Sequence, residues 1–197
     1  MKRLLVVFGL GILLIAFGGF NFSYFSDVAN SNGNTLSTGD FDIDISRDGS
    51  RYYDDYKLFS FDDMKPGENR SFEFYIKNRG DYPVSKLSVE FNVSDLEKGE
   101  LSDAEAKVDD TPDVGELSGK IRIVDFRVAT PKGEYKVNSL VGKTLKEANG
   151  TSFLIFNGSL DENEVLKVTV IFQLSPSAGN ECLTDEVKVG ILIYAEQ

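Results

Sequence analysis

The sequence has no histidine and a single cysteine, Cys182. Histidine supplies the base of most catalytic triads and many of the ligands of protein-bound zinc, so its absence excludes the common forms of both sites. One cysteine cannot form a disulfide within the chain, so packing and hydrogen bonds must stabilise the fold. We expect Cys182 to be a buried, unreactive thiol, and an intermolecular disulfide is the alternative.

The chain is also short of positive charge. It has 32 acidic and 21 basic residues, which give a formal net charge of −11 at pH 7. A surface with so few lysines and arginines is unsuited to the phosphates of nucleic acids. The acidic residues indicate a solvated surface, with binding of divalent cations as the alternative, although no segment has the spacing of an EF-hand loop.

The N-terminus has the pattern of an export signal. Lys2 and Arg3 precede an apolar run, Leu4–Phe17, which is followed by two glycines. The run is shorter than the ~20 residues that a membrane-spanning helix needs, which favours a cleaved signal over a retained anchor. We therefore predict a signal peptide over residues 1–19, cut by a signal peptidase within 18–23. The protein would then be secreted, extracellular or on the cell surface, and would meet the membrane only through this segment.

The remaining chain shows the two-residue period of β-strands. Apolar residues alternate with polar ones in several short segments, namely Phe41–Ile45, Phe72–Ile76, Leu87–Val93, Leu166–Leu174 and Val187–Ala195. Further strands are predicted at Tyr52–Phe61, Lys120–Thr130, Tyr135–Leu140 and Ser152–Phe156. Alternation of this kind, with turn residues between the segments, is typical of antiparallel sheets with one face in water. The sequence therefore predicts an all-β, jelly-roll-like antiparallel sandwich over residues 40–197.

Two stretches interrupt the strand pattern. Residues 95–119 are acidic and contain a proline, so we expect an exposed insertion with a helical turn at Ser102–Val108, where Ser102 and Glu105 fit a capping box. Good helix formers within Gly142–Asn149 predict a second short helix that bridges the sheets.

Residues 20–39 form a distinct N-terminal arm. Phe20, Phe22 and Tyr24 alternate with polar residues, and a polar stretch rich in asparagine follows. An unpaired strand on a flexible tether pairs with an available sheet edge. The edge can belong to the same domain or to another molecule, and the pattern leaves both open.

Three motifs resemble the TasA–camelysin family of secreted proteins, which are processed by a SipW-type signal peptidase. The first is Tyr24-Phe25-Ser26-Asp27, a spacer, and then Asn34-Thr35-Leu36-Ser37-Thr38-Gly39-Asp40-Phe41-Asp42-Ile43. The second is Met64-Lys65-Pro66-Gly67-Glu68 with Phe72, Phe74, Asn78 and Gly80. The third is Ala178-Gly179-Asn180-Glu181 with the ending Ala195-Glu196-Gln197.

The resemblance implies a structural function. Family members are jelly-roll-like subunits of biofilm-matrix fibres and of archaeal extracellular filaments, and they associate head to tail by donor-strand complementation. Carried over to this chain, it makes residues 20–39 the donor strand, with Tyr24, Phe25 and Val28 as its anchors. The rival interpretations are a monomeric Ig-like adhesion or binding domain and a secreted hydrolase. Some family members are described as metallopeptidases, but this sequence lacks the His-Glu-x-x-His motif. We therefore expect that the protein is not an enzyme.

Two kinds of accessory site are predicted. Asp40, Asp42 and Asp44 would lie on one strand face about 6–7 Å apart, which suggests calcium at a subunit interface. Assembly that does not respond to a chelator in light scattering would exclude that idea. Glycosylation sequons occur at Asn21, Asn69, Asn92, Asn149 and Asn157.

Overall fold

The computed structural model describes residues 26–30, 42–53, 59–61, 64–97, 102–109, 115–182 and 185–197, with only the backbone described at 26–30 and 59–60. The predicted signal peptide, together with Tyr24, Phe25 and Asp40, lies outside these residues. Among the described residues, no helix has the length and hydrophobicity that crossing a membrane requires.

The described residues form two antiparallel sheets, as predicted, with five strands in each. The strands are β1 (Ser26–Asn30), β2 (Ile43–Ser46), β3 (Phe59–Phe61), β4 (Asn69–Asn78), β5 (Val84–Glu97), β6 (Ile121–Thr130), β7 (Gly133–Lys136), β8 (Ser152–Leu160), β9 (Val165–Leu174) and β10 (Asp185–Glu196). In the first sheet, β5 lies between β8 and β10, and both β1 and β3 pair with β10. The second sheet has the order β2-β4-β9-β6-β7. The chain changes sheet at nearly every connection, as in a jelly roll.

The core lies between the two sheets. The predicted apolar positions of β4, β5, β9 and β10 face it and are buried, apart from Phe72 and Val93, which are partly buried and pack against the core. Phe172 packs edge-on against Phe61 and Phe72, with ring centroids 5.0 and 5.9 Å away. Because Phe61 belongs to the first sheet and Phe172 to the second, these rings join the two layers.

In the described part of the chain, two helices of one turn accompany the sheets. Helix α1 (Leu117–Lys120) was not anticipated, whereas α2 (Leu145–Ala148) lies within the helix predicted at Gly142–Asn149. A reciprocal capping box between Thr144 and Glu147 begins α2. A 3-10 helix follows at Asn180–Cys182.

One of the strand predictions was wrong in extent, and another lies partly outside the described residues. The strand expected at Tyr135–Leu140 is β7, which ends at Lys136, although a hydrogen bond from Val137 N–H to Phe126 O continues its register against β6 by one residue. Within the segment expected at Tyr52–Phe61, the described residues form only a bridge at Tyr53 and the short strand β3.

The expectation that β2 has one wet face was also wrong. All four of its residues are buried, including Asp44 and Ser46. Tyr53 forms two backbone hydrogen bonds with Ile45 and so folds the chain after β2 against the strand's outer edge. The alternation of polar and apolar residues does not reveal that a strand will be covered by the segment that follows it.

Candidate assembly surface

The outer edge of β10, the edge away from β5, is the surface that the predicted arm uses. On its inner edge β10 pairs with β5 along its whole length, from Asp185 to Glu196. On its outer edge it pairs with two short strands that are distant in sequence. β1 pairs with Leu192–Glu196, and β3 pairs with Val187–Val189. The edge is therefore filled in pieces by separate segments.

Two of the three family motifs meet at this edge. Ser26 and Asp27 of the first motif pair with Glu196 and Ala195 of the third. Val28, a predicted anchor, pairs with Tyr194 in the same ladder. Sequence reasoning placed the arm on a sheet edge but did not identify the edge, because a pairing between opposite ends of a chain leaves no local signal.

The second motif stabilises the fold. Gly67 has φ 83°, and its N–H donates to Leu174 O over 2.9 Å, so the predicted turn joins the start of β4 to the end of β9. The buried Asn78 side chain donates to Tyr82 O over 2.8 Å and to Leu160 O over 3.0 Å, and its Oδ1 accepts from Gly80 N–H. Since Leu160 belongs to the other sheet, Asn78 fixes the sheets to each other.

The predicted calcium ligands are partly engaged within the fold. Asp44 Oδ2 accepts from Arg79 Nε over 2.8 Å, and Asp44 is only 7% exposed. The pKa of Asp42 is raised, mainly by burial and then by the charge of Asp44. The guanidinium of Arg79 thus supplies positive charge at the place where calcium was predicted, and the calcium site itself stays a prediction.

A different acidic cluster forms at the end of the sandwich where β5 finishes and β10 begins. Carboxylate oxygens of Glu97, Glu105 and Asp185 lie within 4.8 Å of one another, and these three residues could together hold a metal ion. Glu105 belongs to the predicted insertion, and it is fully buried there although we expected an exposed segment. The predicted capping box is present, since Glu105 N–H donates to Ser102 Oγ over 3.2 Å and Ser102 N–H donates to the Glu105 carboxylate.

Asp185 carries the clearest electrostatic perturbation in this cluster. Burial raises its pKa to about 7, and the neighbouring charges of Glu116 and Glu97 add to the effect. The backbone N–H of Glu116 donates to Asp185 Oδ2 over 2.7 Å and partly offsets the rise. Folding therefore places an acid where its charged form is unfavourable.

We expect Asp185→Asn to stabilise the protein at alkaline pH. The folded-state pKa is about 7 and the ordinary value is 3.8. Between these values only the folded protein binds the proton, so the contribution of Asp185 to stability falls as pH rises and is lowest above pH 7. Because Asp185 is partly buried and partly screened, we expect a gain of about 1–2 kcal/mol at pH 8 and about zero at pH 4.

Urea titrations of wild type and variant at the two pH values, with chelator present, measure this difference. Glu162→Gln removes a carboxylate from an exposed turn and is the matched control. An equal gain at pH 4 and pH 8 would show that the effect does not arise from ionisation of Asp185.

The four described sequons lie at accessible positions, and Cys182, which we expected to be buried, is only partly buried. Asn69, Asn92, Asn149 and Asn157 are all exposed, although Asn149 Oδ1 also accepts from Val93 N–H. Burial raises the pKa of the Cys182 thiol to about 12, which makes the reactive thiolate rare at neutral pH.

The described fold is an all-β sandwich in which β1 pairs with the C-terminal half of β10. The sequence profile of the camelysin metallo-endopeptidase family matches residues 4–152, and the chain belongs to that family. This membership supports the prediction that the protein is extracellular. A search of curated proteins gave no match.

Solved structures show only distant likeness. A presumed secreted protein from Eubacterium rectale is 10% identical with a TM-score of 0.35, and the aligned part covers 87% of this chain and 40% of that one. The PapD-like domain 7 of human CEP192 is 15% identical with a TM-score of 0.32, covering 73% and 68%. TmCBM61, solved with β-1,4-galactotriose, is 12% identical with a TM-score of 0.24, covering 93% and 92%. Scores this low carry no argument about function.

The family's description implies a metal, and the residues present do not fit a peptidase zinc centre. Such centres use two or three histidines, and this sequence has none. The described cluster of Glu97, Glu105 and Asp185 offers only carboxylate oxygens, which suit hard cations such as calcium or magnesium.

Proposed function

We propose that this protein is a non-enzymatic structural subunit of an extracellular filament, in which β1 of one copy pairs with the outer edge of β10 in the next. The observation that carries the proposal is the β1–β10 ladder, in which the first family motif pairs with the last. Strand addition of this kind obtains its affinity from backbone hydrogen bonds and its register from alternating side chains.

Exchange of β1 between copies should change the free energy little, because the same β1–β10 contacts form within one molecule or between two. β1 and β2 belong to different sheets and are joined by residues 31–42. A segment of that length can span about 40 Å when extended, which is enough to reach a neighbouring domain. The same five-residue ladder then forms between molecules, and the difference in free energy reduces to chain entropy and protein concentration. Repeated head-to-tail contacts produce fibres when the rotation between copies does not close a ring.

The ladder also supports a second candidate function. In the single chain β1 pairs with its own β10, as expected for a self-contained, monomeric surface domain that binds a partner. The two functions differ in a measurable respect, since only the first requires β1 to leave its own sheet.

We expect Val28→Pro to abolish fibres without unfolding the domain. Proline removes a backbone donor and disfavours a paired strand, so the β1–β10 ladder should fail. Val28→Thr keeps the N–H and a β-branched side chain, and it is the matched control. Electron microscopy scores the fibres, and circular dichroism confirms the fold. Normal fibres from Val28→Pro would exclude exchange of β1.

A mixing experiment tests the direction of assembly. Protein that lacks residues 20–38 keeps the β10 edge but has no strand to donate, so it should bind one end of a growing fibre and stop it. Mean fibre length should therefore fall as the truncated fraction rises. Unchanged lengths at equal concentrations of the two proteins would contradict head-to-tail exchange of the arm, whereas a full-length protein that forms no fibres at all would favour the monomeric alternative.

A further inference from the structure

The opposite edge of the first sheet is formed by β8. Within the described part of the chain, β5 is its only strand neighbour. Edge strands expose unpaired backbone groups, and proteins commonly protect them with charged residues or proline. β8 reads Ser-Phe-Leu-Ile-Phe-Asn-Gly-Ser-Leu and contains neither, although its pairing with β5 shifts register at two places. It therefore keeps the composition of a strand that pairs on both sides.

The surface beside β8 is open and largely apolar. Leu154 is 48% exposed and Tyr135 of β7 is 41% exposed. A cavity of about 350 Å³ separates the turn between β6 and β7 from the second half of β8. Gly158 contributes to this opening, since a Cβ there would lie 3.1 Å from Cζ of Phe156.

One side chain covers the middle of the edge. The Tyr135 hydroxyl donates to Ile155 O over 2.7 Å, at the point where the β5–β8 register shifts. Tyr135 is a partly exposed side chain on a strand of the other sheet, so it can leave this carbonyl by rotation about its own side-chain bonds. The contact satisfies one carbonyl and leaves the length of the strand available.

The distribution of charge around β8 favours a second copy of this chain as its partner. The chain has a net charge of −11, so two copies repel one another over most of their surface. β8 has no charge, and the charged residues of β7 beside it form internal ion pairs. Glu134 binds Arg127 over 3.2 Å, and Lys136 binds Asp125 over 2.9 Å. The two acids and two bases cancel, so the part of the edge beside β7 is neutral, whereas Asp161, Glu162 and Glu164 lie in the turn that follows β8.

We propose that β8 pairs antiparallel with β8 of a second copy, so that the first sheet continues across the two molecules. A two-fold contact brings the same surface of each copy together, so any charge on that surface faces a like charge. An uncharged strand can form such a contact without electrostatic repulsion. The contact is separate from strand exchange at β10. Where both operate, it joins neighbouring filaments side by side.

The test compares two lysine substitutions at exposed apolar residues. Leu154→Lys places like charges near the two-fold axis, whereas Val108→Lys adds the same charge at a residue that is 53% exposed and lies away from β8. Sedimentation velocity is measured on the Val28→Pro protein, in which filament growth is suppressed. We expect a dimer that Val108→Lys preserves and that Leu154→Lys weakens about tenfold or more.

Several results would overturn the proposal. A monomer at every concentration, or an equal response to both lysines, would exclude pairing through β8. If Leu154→Lys also abolishes fibres in the otherwise wild-type protein, β8 accepts the arm of another copy and does not pair with itself. Full glycosylation of Asn157, measured by mass spectrometry, would block the edge and exclude the contact. Normal fibres from Val28→Pro, or no fibres from the wild-type protein, with the dimer intact would instead count against the proposed function alone.

Discussion

Replacing Phe172 by alanine is expected to destabilise the domain by about 3–5 kcal/mol, the usual cost of deleting a buried phenylalanine. The side chain is 0% exposed. Its ring contacts both Phe61 and Phe72 edge-on, so the substitution removes an aromatic contact between the sheets as well as buried area. A loss of this size is a large fraction of the ~5–15 kcal/mol that stabilises a typical domain.

Urea unfolding measures this loss. Tyr82→Ala is the matched control, because Tyr82 is 52% exposed and its deletion should change stability by no more than about 0.5 kcal/mol. Equal effects of the two substitutions would mean that Phe172 does not lie in the core between the sheets.

Asn78→Ala should cost about 2–4 kcal/mol, a large effect for a polar residue. The alanine removes two donated hydrogen bonds and one accepted bond. It leaves the carbonyls of Tyr82 and Leu160 without these donors, whereas Gly80 N–H keeps its bond to Asp42 O. A buried polar group that loses its partner costs about 1–3 kcal/mol. Since Asn78 is 0% exposed, water cannot replace the amide without rearrangement.

Two further variants make this prediction specific. Asn92→Ala deletes the same group from an exposed position of β5 and should be nearly neutral. Asn78→Asp keeps the accepting oxygen but not the two donors, so it should not restore stability. A stable Asn78→Asp protein would show that the bonds to Tyr82 and Leu160 contribute little.

Much of the fold could be predicted because its signals are local. The alternation in β4, β5, β9 and β10 fixes which side chains face the core, since successive residues of a strand point to opposite faces. The turn at Gly67 and the capping box of Ser102 and Glu105 depend on residues a few positions apart, and both are present. The three family motifs further predicted the family to which the protein belongs.

The candidate surfaces were less predictable because they depend on residues far apart in the chain. The pairing of Ser26 with Glu196, the bond from Asn78 to Leu160 and the meeting of Glu97 with Asp185 each join distant segments. The burial of Asp44 and Glu105 likewise depends on which segment covers them. No periodicity within a strand encodes such contacts.

The sequence by itself determined an acidic β-sandwich of the camelysin family without histidine ligands, and an arm suited to a sheet edge. Composition and two-residue alternation act through each residue's own chemistry and its nearest neighbours, so they can be read along the chain. Only the tertiary structure decided that the arm's edge is β10, that β8 ends the same sheet as an uncharged strand, and that carboxylates gather beside Asp185. These features arise from the order in which strands pack, which is settled by the free energy of the whole domain.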